Sequence, residues 1–245
     1  MLPLRASVAF LAASLFCGRA FASSDQYGGF EQFADAGALK PFARDLGGVL
    51  GSATFHSGRV LGFSGFDVGA RGGAQFYPEK DDRILRKNGV RVFGLPWLQA
   101  EVGLPFKLDG FIRGVSYQGL TIAGGGLRYG LLKVSDKPWA PQVLASVVAH
   151  SVVHNSFSAS HLGGGLVCSM GTTKVTPYLG AGFDRTRLLV RSALDATLDG
   201  TAVTTFESRY TAGMQFKPWS FVYIHLAYVL MHNQSGSEAG AGVRF

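Results

Sequence analysis

The last nine residues, Ser237–Phe245, read S-E-A-G-A-G-V-R-F. Counting back from the end, Phe245, Val243, Ala241, Ala239 and Ser237 are apolar or small. Arg244, Gly242, Gly240 and Glu238 carry both charges and the glycines. A period of two with one oily and one wet face marks a β-strand lying between two unlike environments.

The same pattern recurs upstream. Phe66, Val68, Ala70, Gly72, Ala74 and Phe76 alternate with Asp67, Gly69, Arg71, Gly73 and Gln75. Leu98–Leu104 and Ala123–Leu131 repeat it, placing Glu101 and Arg128 on the less apolar face, and Asp109–Gln118 follows it less regularly. Gln142–Ser151 and Phe157–Ser169 read as a hairpin about His154-Asn155-Ser156. Val175–Phe183, Arg209–Phe216 and Val222–Tyr228 complete the set. Pro78–Asn88 reads as a charged loop, Lys133–Pro141 as a proline-broken connector, Lys217–Ser220 as a tight turn, and Thr186–Phe206 as the longest polar connector. About ten segments, in a range of about 8–12, approach the 9–11 residues of a tilted membrane strand. The expected fold is therefore all-β: a transmembrane, antiparallel, up-and-down barrel over residues 66–245. Asp67, Arg71, Glu101, Arg128, Asp184, Arg209, Glu238 and Arg244 are expected to face its lumen. A soluble sandwich or lipocalin-like barrel would need a charged outer face, and these isolated charges are too few to supply one.

Composition agrees. Of 245 residues 47% are hydrophobic and only 16% charged, with 34 glycines; soluble domains carry about a quarter charged residues. Residues 1–22 read as a secretory signal, with Arg5, the apolar run Val8–Phe16 and the small-x-small site Ala20-Phe21-Ala22 before Ser23. Cys17 follows the bulky Phe16, which argues against lipidation. Cleavage would remove Arg5 and Arg19 and no acid, lowering the formal charge from +7 to +5. With no basic run or stacked-aromatic motif, nucleic acid is not an expected partner. Cys168 then stands alone, excluding an intramolecular disulfide or a cysteine metal cluster. No later segment offers the roughly 18 uninterrupted apolar residues of a membrane helix.

Residues 23–65 behave differently. Phe30, Phe33, Ala34, Leu39, Phe42, Ala43, Leu46 and Val49 recur at helical spacing. Pro41 suits the first turn of a second helix, and Gly47–Gly65 reads as a glycine-spaced connector. Three readings follow for this amphipathic segment: a plug in the barrel mouth, a helix lying on the periplasmic membrane face, or a loosely ordered leader under the barrel.

With its signal, its repeated alternation and a closing strand ending in Phe245, the chain resembles bacterial outer-membrane β-barrel proteins. Within them it is similar to a group of small, largely uncharacterised members with a short helical region before the barrel. The resemblance implies the outer membrane, contact with its lipid and lipopolysaccharide, and Phe245, Val243 and Ala241 as the signal read by the barrel-assembly machinery. It implies no substrate and leaves the oligomeric state open. A periplasmic C-terminus would put the turns at 171–174 and 217–220 inside and the long connectors at 78–88 and 186–206 outside.

Some such barrels are enzymes, which need a nucleophile, base and orienting group near the rim. His150, His154, Ser156 and His161, with Asp184, are the candidates. His154-Asn155-Ser156 has the H-x-S spacing of some lipid A deacylases without the surrounding motif, so no enzyme is expected. On a strand His150 and His154 stand too far apart for one ion. The runs Gly124–Gly126 and Gly163–Gly165 lack the Lys-Ser/Thr and following helix of a phosphate loop. No metal or cofactor is expected. The functional expectation is a passive channel or transporter for small or hydrophobic solutes, gated by the N-terminal segment. The alternative is a structural or adhesive barrel whose lumen is filled by charge pairs such as Asp67–Arg71, since ten strands enclose little more space than the eight-stranded barrels that side chains fill.

Overall fold

The computed structural model describes residues 25–135 and 137–245; the expected signal peptide and its cleavage site lie outside them. Ten strands close into an antiparallel barrel, each pairing with its sequence neighbours and the first with the last. They are β1 (Phe66–Phe76), β2 (Val92–Leu104), β3 (Leu108–Tyr117), β4 (Leu120–Gly130), β5 (Gln142–Val153), β6 (Phe157–Ser169), β7 (Val175–Val190), β8 (Ala202–Trp219), β9 (Val222–Met231) and β10 (Gln234–Arg244). Closure sets Val68 opposite Val243 and Ala70 opposite Ala241. Phe66 and Phe245 then exchange backbone hydrogen bonds of 3.0 and 2.8 Å. The end holding these two residues is the inner end; the opposite one is the outer end.

The wall is inside out relative to a soluble protein. Leu98, Ile112, Leu179 and Leu226 are 65–71% exposed, while Asp67, Arg71, Glu101 and Glu238 are almost fully buried. Phe106, Trp139, Trp219, Phe221 and Phe245 ring the inner end, and Phe76, Tyr77 and Phe206 stand toward the outer end. An apolar outer band between two aromatic girdles is the surface a bilayer solvates. Leu127 lies in this band, 51% exposed. Leu127→Arg is expected to lower unfolding free energy in lipid vesicles by about 2–4 kcal/mol, whereas Leu127→Phe should stay within about 1 kcal/mol of the parent. An arginine variant as stable as the phenylalanine one would place position 127 in the lumen.

Several boundaries differ from those read in the sequence. The supposed long connector at 186–206 is mostly strand: β7 runs on to Val190 and β8 starts at Ala202. Outward Arg187 and Thr204 are polar while inward Leu188 and Val190 are apolar, which hides the alternation from a hydropathy reading. The 78–88 loop is not wholly solvated, since it contains a short helix, Arg83–Lys87, with Ile84 and Leu85 buried. Strand β2 begins at Val92 and runs through Pro96, a position paired only with β1 because β3 pairs β2 from Leu98 onward; proline is tolerated on such an edge. Strand β8 extends to Trp219, into the expected turn at 217–220, with a register shift between Phe216 and Trp219. The inner end also carries one long connector, 131–141, so the length asymmetry is incomplete. Two outer hairpins are tight, with positive φ at both His232 and Asn233 and at both Gln118 and Gly119, as two-residue turns of that hand require.

The leader fills the lumen. A one-turn helix α1 (Phe30–Phe33) caps the outer mouth, and α2 (Leu39–Gly51) descends inside the barrel, followed by residues 52–65, which reach the inner end and β1. The Arg83–Lys87 helix, α3, packs beside both. Leu39, Phe42, Leu46, Val49 and Leu50 are at most 1% exposed, which overturns the reading of a helix lying on the membrane. Helix α2 also runs five residues, Gly47–Gly51, into the expected connector. Its glycines allow this close approach: a Cβ at Gly47 would overlap the Thr186 hydroxyl, and one at Gly51 the Asp184 carboxylate.

Candidate functional site

The lumen divides into three storeys. In the outer half, the inward residues of one side of the wall are apolar. Phe93, Leu95 and Trp97 of β2, Leu120 and Ile122 of β4, Val152, Phe157, Leu188 and Val190 form one core with α2. Phe157 sits between Phe30 and Phe42, with ring centroids 4.7 and 5.3 Å away.

In the middle storey, charged side chains meet the C-terminal end of α2. Arg113 donates through Nη2 to Leu50 O and through Nη1 to Ser52 O (2.8 Å), and Nε donates to His150 Nε2 (2.7 Å). Its guanidinium lies 4.2 Å from the Trp97 ring centroid. Arg128 donates to Thr54 O, and Arg71 reaches Ala53 O and Thr54 O at 3.4 Å. Unpaired carbonyls and the negative dipole end make a helix C-terminus a cation site; Arg113 occupies it, and Arg71 and Arg128 hold the carbonyls of residues 53 and 54 just beyond it.

Those arginines are in turn neutralised. Glu101 accepts from Arg71 (2.5 Å), Arg128 (2.5 Å) and Gln99 (2.8 Å). Asp67 accepts from Tyr223 Oη (2.8 Å) and lies 3.6 Å from Arg71. On the facing wall Asp184 holds Arg209 (2.9 Å) and meets His161 Nε2 (3.4 Å), with Glu238 3.9 Å from Arg209. Arg244 stands apart near the inner end, donating to Val60 O (2.7 Å). Arg113 was not singled out from sequence, although it shares an inward period with Asp109 and Phe111.

A polar band buried inside a closed wall whose outer surface is apolar decides the architecture. This is the fold of a membrane-spanning, up-and-down β-barrel. No family model and no curated protein matches the chain. Among solved structures the barrel is similar to the N-terminal β-barrel domain of OprF from Pseudomonas aeruginosa, at 12% identity and TM-score 0.41 over 75% of this chain and 99% of that one. It is similar to KdgM porin, at 8% identity and TM-score 0.39 over 73% and 99%, and to Neisserial surface protein A, at 16% and 0.31 over 78% and 97%. These likenesses concern the course of the chain alone.

The barrel does not assemble the expected H-x-S candidates into a relay. His154 is buried against Phe157 (4.8 Å between centroids), and its Nδ1 accepts from the Ser156 amide (3.2 Å). His161 does bridge Asp184 and Thr186 Oγ1 (3.1 Å), but Thr186 is 1% exposed under Gly47 of α2, where no substrate can reach its hydroxyl. At the outer rim Asp45, Glu79 and His232 bring one ligand atom each within 4.8 Å of one another. Their contacts are with protein partners: Asp45 accepts from Gln75 (2.6 Å) and from the Glu79 amide (2.9 Å), and Glu79 pairs with Arg44 (2.8 Å). Burial, and then the Asp45 carboxylate, pushes the Asp82 carboxyl well above the usual carboxylate range. The cluster clamps α2 to the β1–β2 loop and the β9–β10 turn.

The third storey, at the inner end, is an open vestibule lined mainly by polar side chains, under a floor made by residues 57–60.

Proposed function

We propose that the protein is a sealed outer-membrane barrel of the structural or adhesive class, its lumen permanently occupied by its own leader. The supporting observation is the apolar outer storey. Full burial of Leu39, Phe42, Leu46, Val49 and Leu50 at about 1.5–3 kcal/mol each amounts to roughly 7–15 kcal/mol, an upper figure. That matches the whole net stability of a typical domain, about 5–15 kcal/mol. A segment held this tightly is a core and not a gate, so a passive conduit for solutes would require the barrel to give up much of its own stability.

On this reading the inner end faces the periplasm and the outer rim faces the exterior, where Asp25 and α1 sit. Arg185, Arg187 and Arg191 project outward above the exposed Phe183 on the outer part of β7. Arginine forks there suit the phosphate groups of lipopolysaccharide. Planar-bilayer recording of the full chain tests the sealed state. The expected result is a flat baseline with no stepwise conductance; uniform, reproducible steps would favour the channel reading.

A further inference from the structure

On the lipid side of the wall, β6, β7 and β8 present a stepped face toward the outer end. The lower step is apolar. Phe183 of β7 and Phe206 of β8 are exposed and stack with ring centroids 5.5 Å apart and 21° between planes. The Phe183 ring lies across Gly164 of β6, where a Cβ would stand 2.8 Å from its Cζ, so the missing side chain lets the ring spread over the neighbouring strand. The upper step carries two cations. Arg185 stands between Leu162 and Phe206, and Arg187 between Ser160 and Thr204. Both arginines are exposed, and neither guanidinium has a hydrogen-bond or ion-pair partner among the described residues. The two acids of these strands turn inward instead: Asp184 holds Arg209 (2.9 Å) and Glu207 holds Arg44 of α2 (3.0 Å). In the lumen Arg71, Arg128 and Arg209 each have a carboxylate; the outward pair has none.

We propose that this face holds one lipid of the outer-end leaflet whose headgroup exposes phosphate without a cation of its own. An arginine facing lipid is expensive at the bilayer midplane and costs little at the interface. The step from stacked rings to arginines therefore marks the level where acyl chains end and headgroups begin. Side chains two apart on a strand stand roughly 7 Å from each other. Two planar forks at that spacing can take different oxygens of one phosphate group or of two neighbouring ones. The hydroxyls of Ser160 and Thr204 flank the upper fork and add donors. Below them the Phe183–Phe206 pair and Leu162 offer apolar wall to the chains. A soluble anion would use the arginines alone; the unbroken passage from rings to forks favours a lipid. This site rests on the structural reading proposed above for the assignment of its end to the exterior, and it does not require a sealed lumen.

The test reconstitutes the full chain into phosphatidylcholine vesicles containing equal small fractions of phosphatidic acid and diacylglycerol, extracts it in neutral detergent and weighs it intact. One phosphatidic acid per chain is expected, retained about tenfold or more over diacylglycerol. An Arg185→Gln, Arg187→Gln variant should keep the heat-modifiable form and lose that preference by about tenfold or more, with Arg187→Gln alone falling between it and the parent. A Lys40→Gln, Lys80→Gln variant, with the same charge change on α2 and the β1–β2 loop, should retain the lipid like the parent. Calorimetry with glycerol 3-phosphate, which has the phosphate and no chains, should show no saturable binding. Equal retention of both lipids by the parent, retention unchanged in the arginine variants, equal loss in the lysine variant, or saturable binding of glycerol 3-phosphate overturns the proposal. Phosphatidic acid retained by a chain that conducts in planar bilayers removes the sealed lumen and leaves the lipid site standing; a non-conducting chain without retained lipid does the reverse.

Discussion

Glu101→Ala is expected to destabilise the barrel by about 3–5 kcal/mol, the cost of removing one partner from a buried ion pair. Glu101 is 2% exposed and is the carboxylate shared by Arg71 and Arg128. Without it two guanidiniums remain in the lumen, wedged against carbonyls of residues 53 and 54. Arg71 keeps Asp67 and Tyr223 nearby, so Arg128 is the more exposed to the loss. Glu101→Gln retains one acceptor oxygen and should fall between alanine and the parent. Urea unfolding in lipid vesicles, followed by tryptophan fluorescence, reads the difference. An alanine variant within about 0.5 kcal/mol of the parent, the range of ordinary surface changes, would mean that water or lipid headgroups reach the network and screen it.

Deleting the leader should have a still larger effect. The helical spacing of residues 30–49, taken alone, is compatible with a removable gate, and a chain beginning near Gly51 would then fold and conduct. The structure leads to the opposite expectation. Removal of α1 and α2 leaves Phe93, Leu95, Trp97, Leu120, Ile122, Val152, Phe157, Leu188 and Val190 lining an empty apolar cavity, with a penalty that grows with cavity volume. The truncated chain is expected to lose the compact, heat-modifiable form on cold gels. Phe42→Asp tests the same core without shortening the chain, because it places an unpaired carboxylate among rings. A truncated chain that remains heat-modifiable and conducts would restore the gate.

What could be read in advance followed from contrast between two faces. Where lipid lay on one side and charge or glycine on the other, as in Phe66–Phe76 or Ala123–Leu131, period two exposed the strand. Where both sides were apolar, as in β5 with Leu144, Val148 and Val152 inward and Val147 and Val153 outward, it could not tell lumen from lipid. Where apolar residues turned inward and polar ones outward, as with Leu188 and Val190 against Arg187 in β7, the expected contrast was reversed and the strand was lost. The inward apolar storey went unnoticed because nothing local says that a helix 50 to 150 residues upstream will lie against it.

By itself, then, the sequence determined the closed wall and its approximate strand number, because these depend on strand geometry and on a solvent that changes from one side to the other. Only the tertiary structure decided which charges meet. The register that sets Asp67 opposite Glu101 and the descent of α2, which brings its last carbonyls to Arg113 and those of residues 53 and 54 to Arg71 and Arg128, join residues far apart in the chain. Periodicity carries no information on such distances; strand pairing and barrel closure do.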